Sequence, residues 1–151
     1  MNQTNMTLWQ VIDALAQQIP FSKQKIETAL STQLVEYDEP SNRFCHFFKL
    51  QSPPVVLAEG VEISDVDLRI KRRGVDPGGL GLKIGGACIT LDQIRVRYDQ
   101  LKVTGHPRGG SLDEQWAYSQ ILPWGTVTFG FAERNPRCLA SVGVGPKEDA
   151  T

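Results

Sequence analysis

Histidine, cysteine and methionine are scarce in this 151-residue chain, which holds 2 His, 3 Cys and 2 Met. Imidazole-based catalysis or metal binding therefore has few residues to draw on. There is no charge surplus either: 16 Lys+Arg stand against 17 Asp+Glu, for a formal net charge of -1. Attraction to phosphate backbones needs a clustered positive excess, so nucleic acid is not an expected partner. No apolar run approaches the ~20 residues of a membrane span. Internal repeats, low-complexity segments and linkers long enough to divide domains are also missing, so residues 1–151 read as a single domain. With 40% hydrophobic residues spread along its length, the chain is not of the disordered class. At this size it can bury roughly two-thirds of its unfolded surface.

Cys45, Cys88 and Cys138 are an odd number at wide spacing with no CxxC. That pattern argues against a disulfide framework and a zinc knuckle, and predicts reduced, mostly buried thiols. Met1 to Thr7 is polar without Lys or Arg, which predicts no signal peptide and a cytoplasmic location.

Thr7 is placed to cap a helix over about 8–18, where Leu8, Val11, Ile12, Leu15 and Ile19 recur at helical spacing until Pro20. Ser22 caps a second, about 23–31, with Ile26, Ala29 and Leu30 on its inner side. Together they predict an N-terminal helical hairpin, 7–31, ahead of a β-rich body, 33–144, and a loose tail, 145–151. In the body, Gln33–Tyr37 and Arg43–Leu50 flank a turn-prone Asp38-Glu39-Pro40-Ser41-Asn42. Val61 to Lys71 reads as a strand with a bulge near Ser64-Asp65. After a loop at Gly74–Gly79, Leu80, Leu82 and Ile84 alternate as a further strand. Thr90-Leu91-Asp92-Gln93 has the form of a capping box opening a helix of about 91–98, with Leu91, Ile94 and Tyr98 inward. Strands near 100–104, 115–122, 125–132 and 138–144 close the chain. The predicted fold class is α+β: the helical hairpin and one further helix packed on an antiparallel sheet.

No catalytic constellation, metal site or cofactor fingerprint emerges. Adjacent strand residues point to opposite faces, so Cys45 and His46 do not form a nucleophile–base pair. His46 reads as a histidine on the solvent face and His106, before Pro107, as part of a turn. Gly78-Gly79-Leu80-Gly81 and Gly85-Gly86 match no phosphate-binding loop and read as turn glycines. Arg69, Lys71, Arg72 and Arg73 form the one dense basic run. It is either a solvated edge or a landing patch for an acidic partner. Asp113 and Glu114 precede Trp116 and Tyr118, which share a strand face, and Trp124 follows in the next turn. Aromatic residues of this kind either fill a core or anchor an interface.

From Cys88 onward the capped helix Thr90-Leu91-Asp92-Gln93-Ile94 is followed by Trp116-Ala117-Tyr118, Val127-Thr128-Phe129 and Leu139-Ala140-Ser141-Val142. This order resembles the helix–sheet unit of β-lactamase-inhibitor proteins and BamE-type lipoproteins. In size and style the whole chain also resembles bacterial immunity proteins, which neutralise a toxin delivered by a neighbouring cell. The resemblance implies a non-catalytic binding protein that occludes a cognate toxin. Arg69, Arg72, Asp113 and Glu114 would steer or pair with the partner, and Trp116 or Trp124 would anchor it. The alternatives are a structural or assembly subunit, possible as a homodimer, and a small enzyme or ligand-binding domain with a pocket between helix and sheet.

Overall fold

The computed structural model describes residues 2–37, 45–71 and 78–146. The turn read at Asp38–Asn42, the basic residues Arg72 and Arg73, and the Asp76-Pro77 part of the glycine loop lie outside the described residues. Among the described residues there are three α-helices: α1 (Leu8–Ala16), α2 (Lys23–Leu30) and α3 (Leu91–Arg97). Their starts are set by side-chain chemistry. The Thr90 hydroxyl accepts from the Gln93 N–H, while the Gln93 side chain accepts from the Thr90 N–H, as the sequence predicts. Thr7 and Gln10 form the same reciprocal pair at α1, and Ser22 caps α2.

The strands are β1 (Asn2–Gln3), β2 (Leu34–Tyr37), β3 (Cys45–Leu50), β4 (Val55–Val56), β5 (Val61–Lys71), β6 (Gly79–Gly86), β7 (Lys102–Gly105), β8 (Gln115–Leu122), β9 (Gly125–Ala132) and β10 (Ser141–Pro146). They form one sheet in the order β1-β4-β5-β6-β10-β9-β8-β7, with β3, and β2 beyond it, also paired to β5. All neighbours are antiparallel except β1 and β4. The fold is therefore mixed α+β and dominated by its sheet. The last strand starts three residues later than its alternation suggests. It runs on through Gly145 and Pro146, which pair with Thr126 and Gly125 rather than beginning a tail.

β5 shows how the sequence builds the sheet. Its first half pairs with β4 and its second half with β3, and the register shifts between Ile63 and Asp65. Val61 and Ile63 are two apart, but the next buried residue, Val66, comes three later. The extra residue lets both halves turn their apolar side chains to the same core. At the shift, Asp65 Oδ1 accepts from the backbone N–H of Leu50 (3.3 Å) and of Val66 (2.8 Å).

One sheet face carries the core. Val66, Leu82, Val142, Phe129 and Tyr118 lie side by side across five strands, and residues of all three helices join the same cluster. Leu91, Ile94 and Tyr98 face inward. The Tyr98 ring centroid is 5.1 Å from that of Phe129, and burial, helped by the negative charge of Asp13, pushes the Tyr98 hydroxyl up to about 12, with Arg97 opposing. The unfolded chain ionises this hydroxyl near pH 10, before the folded one does. Its contribution to stability is thus complete below about pH 10 and is lost as the pH rises towards 12. Tyr98→Phe is expected to flatten the fall in melting temperature across that window. An equally steep fall in the variant would assign the alkaline loss to other groups.

The thiols differ from the sequence-based expectation. Cys88 and Cys138 form a disulfide, with Cα atoms 4.9 Å apart, and Cys88 is exposed rather than buried. Cys45 lies outside this disulfide and is half-buried. The reason is topological: β6 and β10 are antiparallel neighbours, so the chain leaving β6 and the chain approaching β10 meet at one end of the sheet. A separation of 50 residues in sequence gives no hint of this.

Candidate functional site

The segment between β7 and β8, residues 106–114, is a loop tied by its own hydrogen bonds. The Glu114 carboxylate accepts from the backbone N–H of Arg108 and of Gly110 and so holds the two ends of the turn together. A Cβ on Gly110 would stand only 2.6 Å from Glu114 Oε1, so glycine is what lets the carboxylate approach. Ser111 Oγ accepts from the Asp113 N–H at 3.1 Å.

A second brace comes from the segment joining β9 to β10. The Glu133 N–H donates to the Glu114 carbonyl (2.8 Å), and the Arg134 N–H donates to the Leu112 carbonyl (2.9 Å). The Arg134 guanidinium pairs with Asp113 at 3.2 Å in solvent, a contact worth about 1 kcal/mol or less. The adjacent carboxylates thus diverge: Glu114 shapes the loop and Asp113 faces outward to Arg134.

This frame displays apolar surface. Leu112 is 55% exposed and Trp116 38%. Trp116 lies opposite Phe131, on the core side of the sheet, yet it is outside the buried cluster. The exposed His106 ring stands 6.3 Å from the Trp116 ring, and its Nδ1 lies 3.1 Å from the Pro107 carbonyl. A depression of about 560 Å³ opens between Pro107, Leu112, Trp116 and Glu133. Its lining is amphipathic, with the Trp116 ring, the Leu112 side chain and the Glu133 carboxylate.

The structure thus brings Asp113, Glu114 and Trp116 together and keeps the other site residues apart. Arg69 is on β5, four strands from β8 in the sheet order. It also projects from the opposite sheet face, alternating with buried Leu68. There its guanidinium pairs with Asp67 at 3.1 Å and lies 5.3 Å from the Phe47 ring. The Asp67 hydrogen bond and charge hold the Arg69 pKa above its ordinary value. Trp124, in the β8–β9 turn, packs against the core. Arg72 lies outside the described residues.

Sequence reasoning passed over Leu112, Glu133 and Arg134. Leu112 did leave a signal, as the one aliphatic side chain in the polar stretch Gly109–Glu114. The positions of Glu133 and Arg134 left none, because they depend on contacts across the fold.

Other concave regions lie among the described residues. A polar depression of about 1010 Å³ lies over α2 and β2. Its main charged wall, Glu27, is already used to accept from the Leu34 N–H at 2.8 Å. On the helix-free sheet face, Gly81, Gly143, Thr128 and Gly130 floor a groove of about 400 Å³. Across it Ser141 Oγ donates to Gln115 Oε1 at 2.6 Å. Among the described residues, no three His, Cys, Asp or Glu side chains are grouped to hold a metal ion. No helix among them is long and apolar enough to cross a membrane. No known protein family, curated protein or solved structure matches this chain.

Proposed function

We propose that this chain is a non-catalytic bacterial binding protein that neutralises a cognate protein toxin by occluding it. The observation that carries the reading is the 106–114 loop, which exposes Leu112 beside Trp116 while Glu114 and the β9–β10 segment hold it in shape. Exposed apolar side chains on a pre-ordered loop suit protein recognition, because little conformational entropy remains to be lost on binding. Glu133, in the wall of the depression, favours a basic group on the partner beside its apolar contact. In this reading the N-terminal helices form a helical hairpin that buttresses the core face of the sheet. Arg69 belongs to a separate patch on the other sheet face and steers the approach of the partner rather than sharing the anchor.

The groove on the helix-free face supports a second reading, a small ligand-binding domain, since its floor of glycines and hydroxyls leaves backbone open to a flat ligand.

The tagged chain, used as bait in a lysate of the source bacterium, is expected to retain one stoichiometric protein whose toxic activity the purified chain suppresses. Trp116→Ala is expected to weaken that complex by about 2 kcal/mol or more, roughly 30-fold, with the melting temperature nearly unchanged. Recovery of only the chain itself, or full affinity in Trp116→Ala, would remove this surface from the mechanism. Loss of folding in Trp116→Ala would make the tryptophan a packing residue, and Leu112→Asp would then carry the test on a side chain that is more than half exposed.

A further inference from the structure

The Cys88–Cys138 disulfide and the candidate loop sit at the two ends of one short segment. Residues 133–138 leave β9 through two consecutive turns, in which the Asn135 N–H donates to the Ala132 carbonyl (3.0 Å) and the Cys138 N–H to the Asn135 carbonyl (3.3 Å). At its start the segment makes the Glu133 and Arg134 bonds that brace the loop. At its end Cys138 is tied covalently to Cys88, and the next N–H, of Leu139, donates to the Ile89 carbonyl (2.8 Å). Residues 133–138 belong to no strand, so the brace depends on these end attachments. Cys88 is an exposed residue at the surface end of this segment, where thiol–disulfide exchange takes place most readily.

We propose that the Cys88–Cys138 bond is a redox-sensitive clamp that keeps the 106–114 loop in its displayed form. This rests on the loop being the recognition surface. In the reducing step a dithiol's thiolate attacks Cys88 Sγ, the S–S bond breaks, and Cys138 departs as a thiolate and takes up a proton. The reductant's second thiol then attacks the mixed disulfide, and Cys88 leaves in the same way. The chain gains two electrons and two protons, and the dithiol becomes a disulfide. A disulfide oxidoreductase of the opposite poise reverses the exchange. Once cut, the segment keeps only hydrogen bonds at its Cys138 end, and local opening of the segment and the loop becomes easier. Reducing and oxidising compartments differ in which state they maintain.

The test is hydrogen exchange read by mass spectrometry on the free chain, oxidised and after treatment with a phosphine reductant. Thiol labelling defines the two states, with Cys45 alone labelled when the clamp is closed. Reduction is expected to speed exchange about tenfold or more in segments 106–114 and 133–138, with β5 and β6 unchanged. Cys88→Ser is expected to reproduce the reduced pattern without reductant. If that variant does not fold, the reduced wild-type chain supplies the same comparison. An unchanged loop, uniform acceleration across the whole sheet, or labelling of all three cysteines after oxidation would each overturn the clamp. Since no partner is present, failure here is distinct from failure of the toxin reading. That reading falls instead if the oxidised chain captures no partner.

Discussion

Phe129→Ala is expected to remove about 3–5 kcal/mol of folding free energy, the range for deleting a fully buried aromatic side chain. Phe129 has no exposed surface and sits mid-sheet, opposite Val142 on one side and Tyr118 on the other. Its ring is 5.1 Å from Tyr98 and 6.5 Å from Trp9, so it joins β9 to α1 and to the residue that ends α3. Truncation would leave a void bounded by a sheet and two helix ends, none of which can collapse without breaking its own pairing. Urea unfolding gives the measurement: the midpoint should fall sharply with the slope preserved. Phe129→Leu should cost much less, since it keeps most of the volume. A loss below about 1 kcal/mol in Phe129→Ala would mean that the helices are not packed on this residue.

Gly86→Ala is expected to destabilise by about 3 kcal/mol, from two causes that act together. Gly86 has φ +76, a backbone conformation that side chains other than glycine's resist. A Cβ there would also stand 2.3 Å from the Gly60 carbonyl oxygen. That oxygen cannot swing aside, because it belongs to the backbone and accepts from the Ala87 N–H at 2.9 Å. Gly130→Ala makes the contrast. Its Cβ would meet Gln115 Oε1 at closer range still and Ser141 Oγ at the same 2.3 Å, but both are ends of side chains that can rotate away. The cost there should be near the about 1 kcal/mol of the Gln115–Ser141 hydrogen bond. Thermal unfolding of the two variants side by side tests the ranking. Equal losses would show that backbone and side-chain obstacles are interchangeable at these sites.

The clamp prediction connects to the same region, since Gly86 lies two residues before Cys88. A backbone held tightly at Gly60 and Ala87 presents Cys88 from a fixed position. Cys138 reaches it from the segment that braces the candidate loop.

Much of this architecture was legible in the residues because its causes are local. Thr7, Ser22 and Thr90 sit where their hydroxyls meet the first free amides of each helix, within three residues along the chain. The bulge in β5 was visible as an irregularity in spacing at Ser64-Asp65, and the structure places the register shift there. Alternation of Leu80, Leu82 and Ile84 in β6 marked which side chains turn inward.

The candidate surface was legible only in part. Trp116 and Tyr118 share a face, as alternation requires, yet Tyr118 packs against the core while Trp116 stands at its margin. Periodicity states which way a side chain points but not whether another element covers it there. For the same reason Trp124, equally open to either reading, packs against the core. Glu114 looked like a charge for a partner, and its oxygens instead accept from two amides of its own loop.

Local patterns of hydrogen-bonding side chains, apolar spacing and turn residues were enough to set the α+β class and the three helix starts. They also set the alternation of most strands, because each depends on neighbours a few positions away. The strand order was beyond them, and with it the meeting of Cys88 with Cys138, the bracing of residues 112–114 by Glu133 and Arg134, and the separation of Arg69 from Trp116. Those follow from which strands become neighbours. That choice is made by the summed burial of one sheet face against three helices, a property of the whole chain that no short window of sequence contains.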